Sequence, residues 1–234
     1  MKAVNLTDRG VGNAAYYAAY YATQTPEDYA WILADIVKHA GPGPILDLGA
    51  GLGFFVELAT SRGWTCQGLE GSADAVAQAR LRAPDLAIIH HVLSQALPFD
   101  DHSFQSVLIN QVIEHLEPSV ASNAILEASR VLRPGGMLLI FSPSCYNQRE
   151  RDADPTHINM LSPSALQRLV ISAGFQRYAA LNRPLAIFGE SRLGLGLVSR
   201  LFRWRPFDRL SSTANCRAYK PADPSAFGSA TGDA

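Results

Sequence analysis

Short apolar runs and helix-period segments alternate along this chain. The runs predict strands over 44–48, 64–70, 86–91, 104–111 and 136–142. Helical spacing between them predicts helices over 26–40, 52–62, 72–82 and 117–132. Local signals mark several ends: Thr25 caps the first helix, Pro26 takes its first position, and Glu27 and Asp28 complement its dipole. Further on, Ser162 and Pro163 open a helix over 163–173 and Gly174 closes it. Strands over 176–182 and 212–219 complete a set of seven. Strand–helix alternation of this kind predicts an α/β fold with a doubly wound, Rossmann-like, mainly parallel sheet and helices on both faces.

One junction carries more than architecture. The run Ile45-Leu46-Asp47-Leu48 breaks into Gly49-Ala50-Gly51-Leu52-Gly53 before an apolar helix begins. Strand, glycine turn and helix are how such a fold brings backbone close to a ligand at the carboxyl end of its first strand. A dinucleotide fingerprint needs G-x-G-x-x-G, but Phe54 or Val56 stands where the third glycine would fall. The pattern is instead D-x-G-x-G-x-G, with Asp47 placed to repel phosphate and to accept hydrogen bonds from an ammonium group. Glu70 ends the second predicted strand, where an acid can take both hydroxyls of a ribose.

This segment resembles the first motif of class I S-adenosylmethionine (SAM)-dependent methyltransferases. Two later stretches extend the resemblance: Leu97-Pro98-Phe99 through Val112-Ile113-Glu114-His115-Leu116, and Arg130-Val131-Leu132-Arg133-Pro134-Gly135-Gly136 with the strand after it. The resemblance implies that the last strand inserts antiparallel. It implies SAM as cofactor, with Asp47, Gly49, Ala50, Gly51 and Gly53 at the methionine end, Glu70 on the ribose, and Gly71 beside the adenine. Gln111 would line the methionine moiety. Many relatives place an acid shortly before the Leu-Pro-Phe stretch; here that position falls in His91–Ala96, and Ser94 is the candidate substitute. Tyr16, Tyr17, Tyr20 and Tyr21 lie in a segment that the family often closes over its cofactor, with Tyr20 the candidate contact; a surface helix packing its aromatic face is the other reading.

At 234 residues and 47% hydrophobic content, the chain can bury one sizeable core. The expected organisation is an N-terminal helical segment, 1–43, covering the cofactor, a methyltransferase domain over 44–220 with an insert at 188–208, and a disordered tail over 221–234. A net charge of -1 gives no global attraction to nucleic acid. No secretory leader or membrane span is read from the chain, and Cys66, Cys145 and Cys216 form no C-x-x-C, so a reducing cytoplasm is the expected location.

Two histidines are candidate bases. His115 follows the fourth strand, where a structural role competes; His157, in Asp154-Pro155-Thr156-His157, stands on the carboxyl side of the sheet and could take the proton of an attacking hydroxyl or merely order its loop against Asp154. No ligand spacing supports a metal there, and none is expected. The insert is apolar on one side and carries arginines: an edge helix, a phosphate-binding patch, or a peripheral membrane contact through 193–205. The expected function is methyl transfer to a small-molecule or sugar (glycan) acceptor, by default at oxygen, with oligomeric state open. A non-catalytic SAM-binding module and an NAD-dependent oxidoreductase are the competing classes.

Overall fold

The computed structural model describes Tyr17, residues 21–183 and residues 205–222. Tyr20, most of the 188–208 insert and positions 223–234 of the tail lie outside the described residues.

Seven strands form one sheet: β1 Ile45–Leu48, β2 Cys66–Glu70, β3 Ile88–His90, β4 Phe104–Asn110, β5 Leu132–Phe141, β6 Gln176–Ala180 and β7 Cys216–Tyr219. Their spatial order is β3-β2-β1-β4-β5-β7-β6. The pairs from β3 to β5 are parallel, whereas β7 runs antiparallel to both β5 and β6. The expected seven-stranded sheet with an inserted antiparallel strand is what forms.

Helices α1 Ala30–Ala40, α2 Phe54–Ser61, α3 Ala73–Arg82, α4 Pro118–Val131, α5 Gln148–Ala153 and α6 Pro163–Ser172 connect the strands. Side-chain alternation in the strands sorts them onto two faces. Leu46, Leu48, Val107, Ile109, Leu138 and Ile140 pack with Ala124, Ile125 and Ala128 of α4 and Leu166 and Val170 of α6. Ile45, Leu108, Met137 and Leu139 pack on the other side with Ile32 and Ile36 of α1, Phe55 and Val56 of α2, and Val76 and Ala79 of α3. Central strands buried on both faces read as unbroken apolar runs for this reason.

Local chemistry fixes the ends much as expected. The Thr25 N–H donates to Asp28 Oδ2 at 2.7 Å, but the first turn, Pro26–Tyr29, is 3-10 rather than α. Ser162 Oγ accepts from the Ala165 N–H at 3.1 Å and Ser72 Oγ from the Ala75 N–H at 3.2 Å, capping α6 and α3. Most strands are a residue or two shorter than expected, and three elements differ further. β5 begins at Leu132, pairing with Phe104 before an irregularity that the Pro134-Gly135-Gly136 stretch takes up. β7 is shorter than expected, with Thr213 forming only an isolated bridge to Pro143. Gln148–Ala153, where no element is expected, is α5, capped by the Asn147 side chain.

Candidate active site

The strand order reverses between β1 and β4, opening a crevice at their carboxyl ends. The glycine turn leaves β1 there. The N–H groups of Gly49 and Ala50 both donate to the Leu69 carbonyl, at 2.8 and 2.9 Å, which pins the turn against β2. Gly49 and Gly51 have φ of 81° and 55°, a conformation that glycine adopts without strain. They also admit close neighbours: a Cβ on Gly49 would stand 2.3 Å from Val112 Cγ2, and one on Gly51 would stand 2.1 Å from the Tyr21 hydroxyl. Gly53 (φ 74°) caps α2.

Glu70 organises this lip. Its Oε2 accepts the Gly51 N–H at 2.8 Å, and its Oε1 accepts the Ser72 N–H at 2.7 Å and the Tyr17 hydroxyl at 3.0 Å. Tyr17 stacks on Tyr21, whose ring meets Phe54 edge-on. Asp47 is buried on β1, and burial together with the Glu70 charge pushes its carboxyl up to about 8. Gly71 is exposed, and its carbonyl lies 3.1 Å from His90 Nε2. Ser94 is exposed in the turn after β3. Gln111 leaves β4 with φ of 55°, held by its N–H to the Phe141 carbonyl at 2.8 Å.

The second half of the crevice joins two segments distant in sequence. After β4, Ile113–His115 makes one 3-10 turn that buries Glu114 completely and leaves His115 half-buried. After β5, α5 leads into Asp154-Pro155-Thr156-His157. The Asn159 N–H donates to the Glu114 carbonyl at 2.9 Å and ties the two segments together. Thr156 bridges them further: its Oγ1 lies 3.0 Å from His115 Nδ1 and donates to Asp154 Oδ1, while its N–H donates to the same oxygen at 2.8 Å. His157 Nε2 stands 3.7 Å from Asp154 Oδ2, and the two imidazole rings are 4.8 Å apart.

Burial and hydrogen bonding shift the ionisation of the polar groups here. Burial, and next the neighbouring His157, lower the His115 imidazole to about 4. Burial opposes ionisation of Asp154, but the hydrogen bonds from Thr156 outweigh it and hold the carboxyl below its ordinary range. Burial pushes Glu114 up to about 8 against a smaller opposing effect of its own backbone and the Ser142 hydroxyl. Neither Glu114 carboxylate oxygen has a hydrogen-bond partner among the described residues, and neither does His157 Nδ1.

Sequence reading expected Asp47, the glycines, Glu70 and Gln111 around one cofactor and took His115 and His157 as separate candidates; the structure brings the two histidines together. Sequence reading missed Glu114, Thr156 and Tyr17. An acid inside the apolar run from Val112 to Leu116 was the available signal for Glu114. Four tyrosines with overlapping helical spacings gave no means of choosing Tyr17.

The donor set fits SAM. Two acids, Asp47 and Glu70, stand at the glycine turn and would suit a cofactor that carries an ammonium and a sulfonium and no phosphate. Residues 46–140 match the methyltransferase domain family. Over that stretch the chain has the sequence of a SAM-dependent methyltransferase domain. A Mycolicibacterium smegmatis protein named as a SAM-dependent methyltransferase is 33% identical over 135 residues, which cover 56% of this chain and 51% of that protein. The chain therefore spans about half the length of that relative. Among solved structures, a SAM-dependent methyltransferase from Archaeoglobus fulgidus superposes with a TM-score of 0.68 at 18% identity, covering 89% of this chain and 100% of that one. A phosphoethanolamine N-methyltransferase from Haemonchus contortus, solved with SAM, gives 0.67 at 18% identity, covering 94% of this chain and 61% of that one. At these identities the structures share the methyltransferase fold. No described helix is long and apolar enough to cross a membrane.

Proposed function

We propose that this chain transfers the methyl group of SAM to an oxygen of a small-molecule or sugar acceptor. One observation carries the reading. The glycine turn with its two acids leaves the carboxyl end of β1, and the His115–Thr156–Asp154–His157 group follows the carboxyl ends of the neighbouring β4 and β5, the side on which cofactor and acceptor must meet for an in-line transfer.

Asp47 suits the ammonium of the cofactor, Glu70 its ribose, Gly71 its adenine edge, and Gln111 its methionine moiety. Bound SAM supplies an electrophilic methyl on sulfur; transfer breaks the carbon–sulfur bond and leaves one proton from the acceptor hydroxyl to be taken. His157 is the group suited to take it. Its Nε2 faces Asp154, which favours the tautomer with the proton on that nitrogen and leaves the lone pair on Nδ1. His115 is less suited, because burial lowers its imidazole to about 4 and leaves it the weaker base. Tyr17, stacked over the glycine turn, supports a covering role for the N-terminal segment.

Binding of S-adenosylhomocysteine (SAH) in preference to NADH, followed by a mass-shift screen of hydroxylated acceptors beginning with sugars, tests this reading. His157→Ala and Asp154→Ala should keep SAH affinity and lower turnover by about 100-fold or more. A non-catalytic SAM-binding module would be indifferent to both changes.

A further inference from the structure

We propose that Glu114, His115 and His157 form a site for a divalent transition-metal ion of the zinc class. One ligand atom from each of the three side chains lies within 4.8 Å of the other two. Zinc bonds to nitrogen and oxygen run at about 2.0–2.2 Å, which puts tetrahedral donors about 3.4 Å apart. Contraction by about 1.4 Å at most, within reach of side-chain rotation, closes the site.

Three features point to a cation here rather than to a chance cluster. Both Glu114 oxygens are buried and unpartnered, with no cation among the described residues to offset them. The His157 side chain is 6% exposed and its Nδ1 is also unpartnered. Buried polar atoms left in this state are costly, and a metal satisfies all three at once. The histidines are also oriented as ligands usually are. Each has one ring nitrogen held from behind, His115 Nδ1 by Thr156 and His157 Nε2 by Asp154, and the other nitrogen left available. Two histidines and one carboxylate leave a fourth position open, as in catalytic zinc sites.

The inference rests on the methyltransferase reading only for what occupies that fourth position. An acceptor hydroxyl bound there would lose its proton to solvent near neutral pH, keeping the electron pair on oxygen for the methyl carbon. Metal and proton draw on the same His157 lone pair, so in the loaded site coordination replaces base catalysis.

The test uses the purified full chain, titrated calorimetrically with Zn²⁺ and followed with Co²⁺ by visible absorption. Expected are one site per chain of micromolar or tighter affinity, a tetrahedral Co²⁺ spectrum, and at least a hundredfold weaker binding in both Glu114→Gln and His157→Ala. Circular dichroism checks that each variant folds, and His115→Ala serves if Glu114→Gln does not. His39→Ala, on the surface of α1, should bind Zn²⁺ as wild type does. Absence of a stoichiometric site, or a site unchanged by all three substitutions, overturns the metal. SAH calorimetry on the same samples keeps the two ideas separate: SAH binding without zinc sinks the metal alone, and zinc binding without SAH sinks the methyltransferase reading alone.

Discussion

The Tyr17 hydroxyl donates to Glu70 Oε1 at 3.0 Å, on the carboxylate oxygen that also accepts the Ser72 N–H. The acid read from sequence as a ribose ligand is thus already engaged by the segment that precedes the domain. A ribose hydroxyl approaching Oε1 must compete with a phenol.

Tyr17→Phe should therefore tighten SAH binding. Hydrogen bonds to charged groups contribute about 1.5–3 kcal/mol, so release of this one predicts roughly a tenfold gain or more, read by calorimetry. Glu70→Ala should abolish binding and also loosen the glycine turn through the lost Gly51 contact. Weaker binding in Tyr17→Phe would mean that the tyrosine instead supports the bound cofactor.

Asp47 gives a pH dependence of definite sign. Its folded carboxyl stands at about 8 against an ordinary 3.8, chiefly through burial. Its contribution to stability is fully present below about 4, falls as pH rises toward about 8, and is flat beyond, with a slope of at most about 1.4 kcal/mol per pH unit. Urea unfolding at pH 5 and pH 8 should show a smaller difference in Asp47→Asn than in wild type. SAH affinity should rise over the same range in wild type, because the cofactor's ammonium favours the ionised acid, and should lose that rise in the variant.

Gly49→Ala separates backbone strain from crowding when set beside Gly63→Ala. Both residues have φ near 80°, but a Cβ at Gly63 meets nothing within 4 Å, whereas at Gly49 it meets Val112 Cγ2 at 2.3 Å. Gly63→Ala should cost about 1–2 kcal/mol and leave SAH binding intact. Gly49→Ala should cost more, since Val112 is stiff at χ1, and should weaken SAH binding by about tenfold or more.

Arg130 should matter beyond its exposure. Its guanidinium donates to the Leu97 and Phe99 carbonyls and to Glu127 and Asp101, and Glu127 in turn accepts the Leu97 N–H. The loop between β3 and β4 is fastened to α4 by this side chain together with Glu127. Arg130→Lys should fail to restore what Arg130→Ala loses, about 2 kcal/mol, because lysine lacks the planar fork of donors. Hydrogen exchange of the amides at Leu97 and Phe99 reports the loss directly.

How much was legible follows from how local each signal is. Ile45–Leu48 and Val107–Ile109 are central strands covered on both faces, so their apolar runs were unambiguous. The glycine turn was legible because its neighbours leave no room for side chains. Helix α5 was not, because Gln148–Ala153 has no apolar face; Asn147 followed three residues later by Glu150 was the overlooked start signal. The His115–Thr156 contact was invisible because it joins segments that only the sheet brings together, and periodicity along one segment says nothing about its partner on another.

The place of β7 between β5 and β6 sets an order of assembly. The Ser142 N–H donates to Asn215 Oδ1 across 73 residues of chain, and the Ser144 N–H to the Ser212 carbonyl at 3.0 Å. The loop that carries Asp154 and His157 toward the crevice thus leans on residues translated long after it. The glycine turn needs only β1, β2 and β4, all made early. During synthesis the half that suits the cofactor can take shape first, while the half that suits the acceptor waits for β7 to slot into place. Such late, long-range closure slows the final folding step.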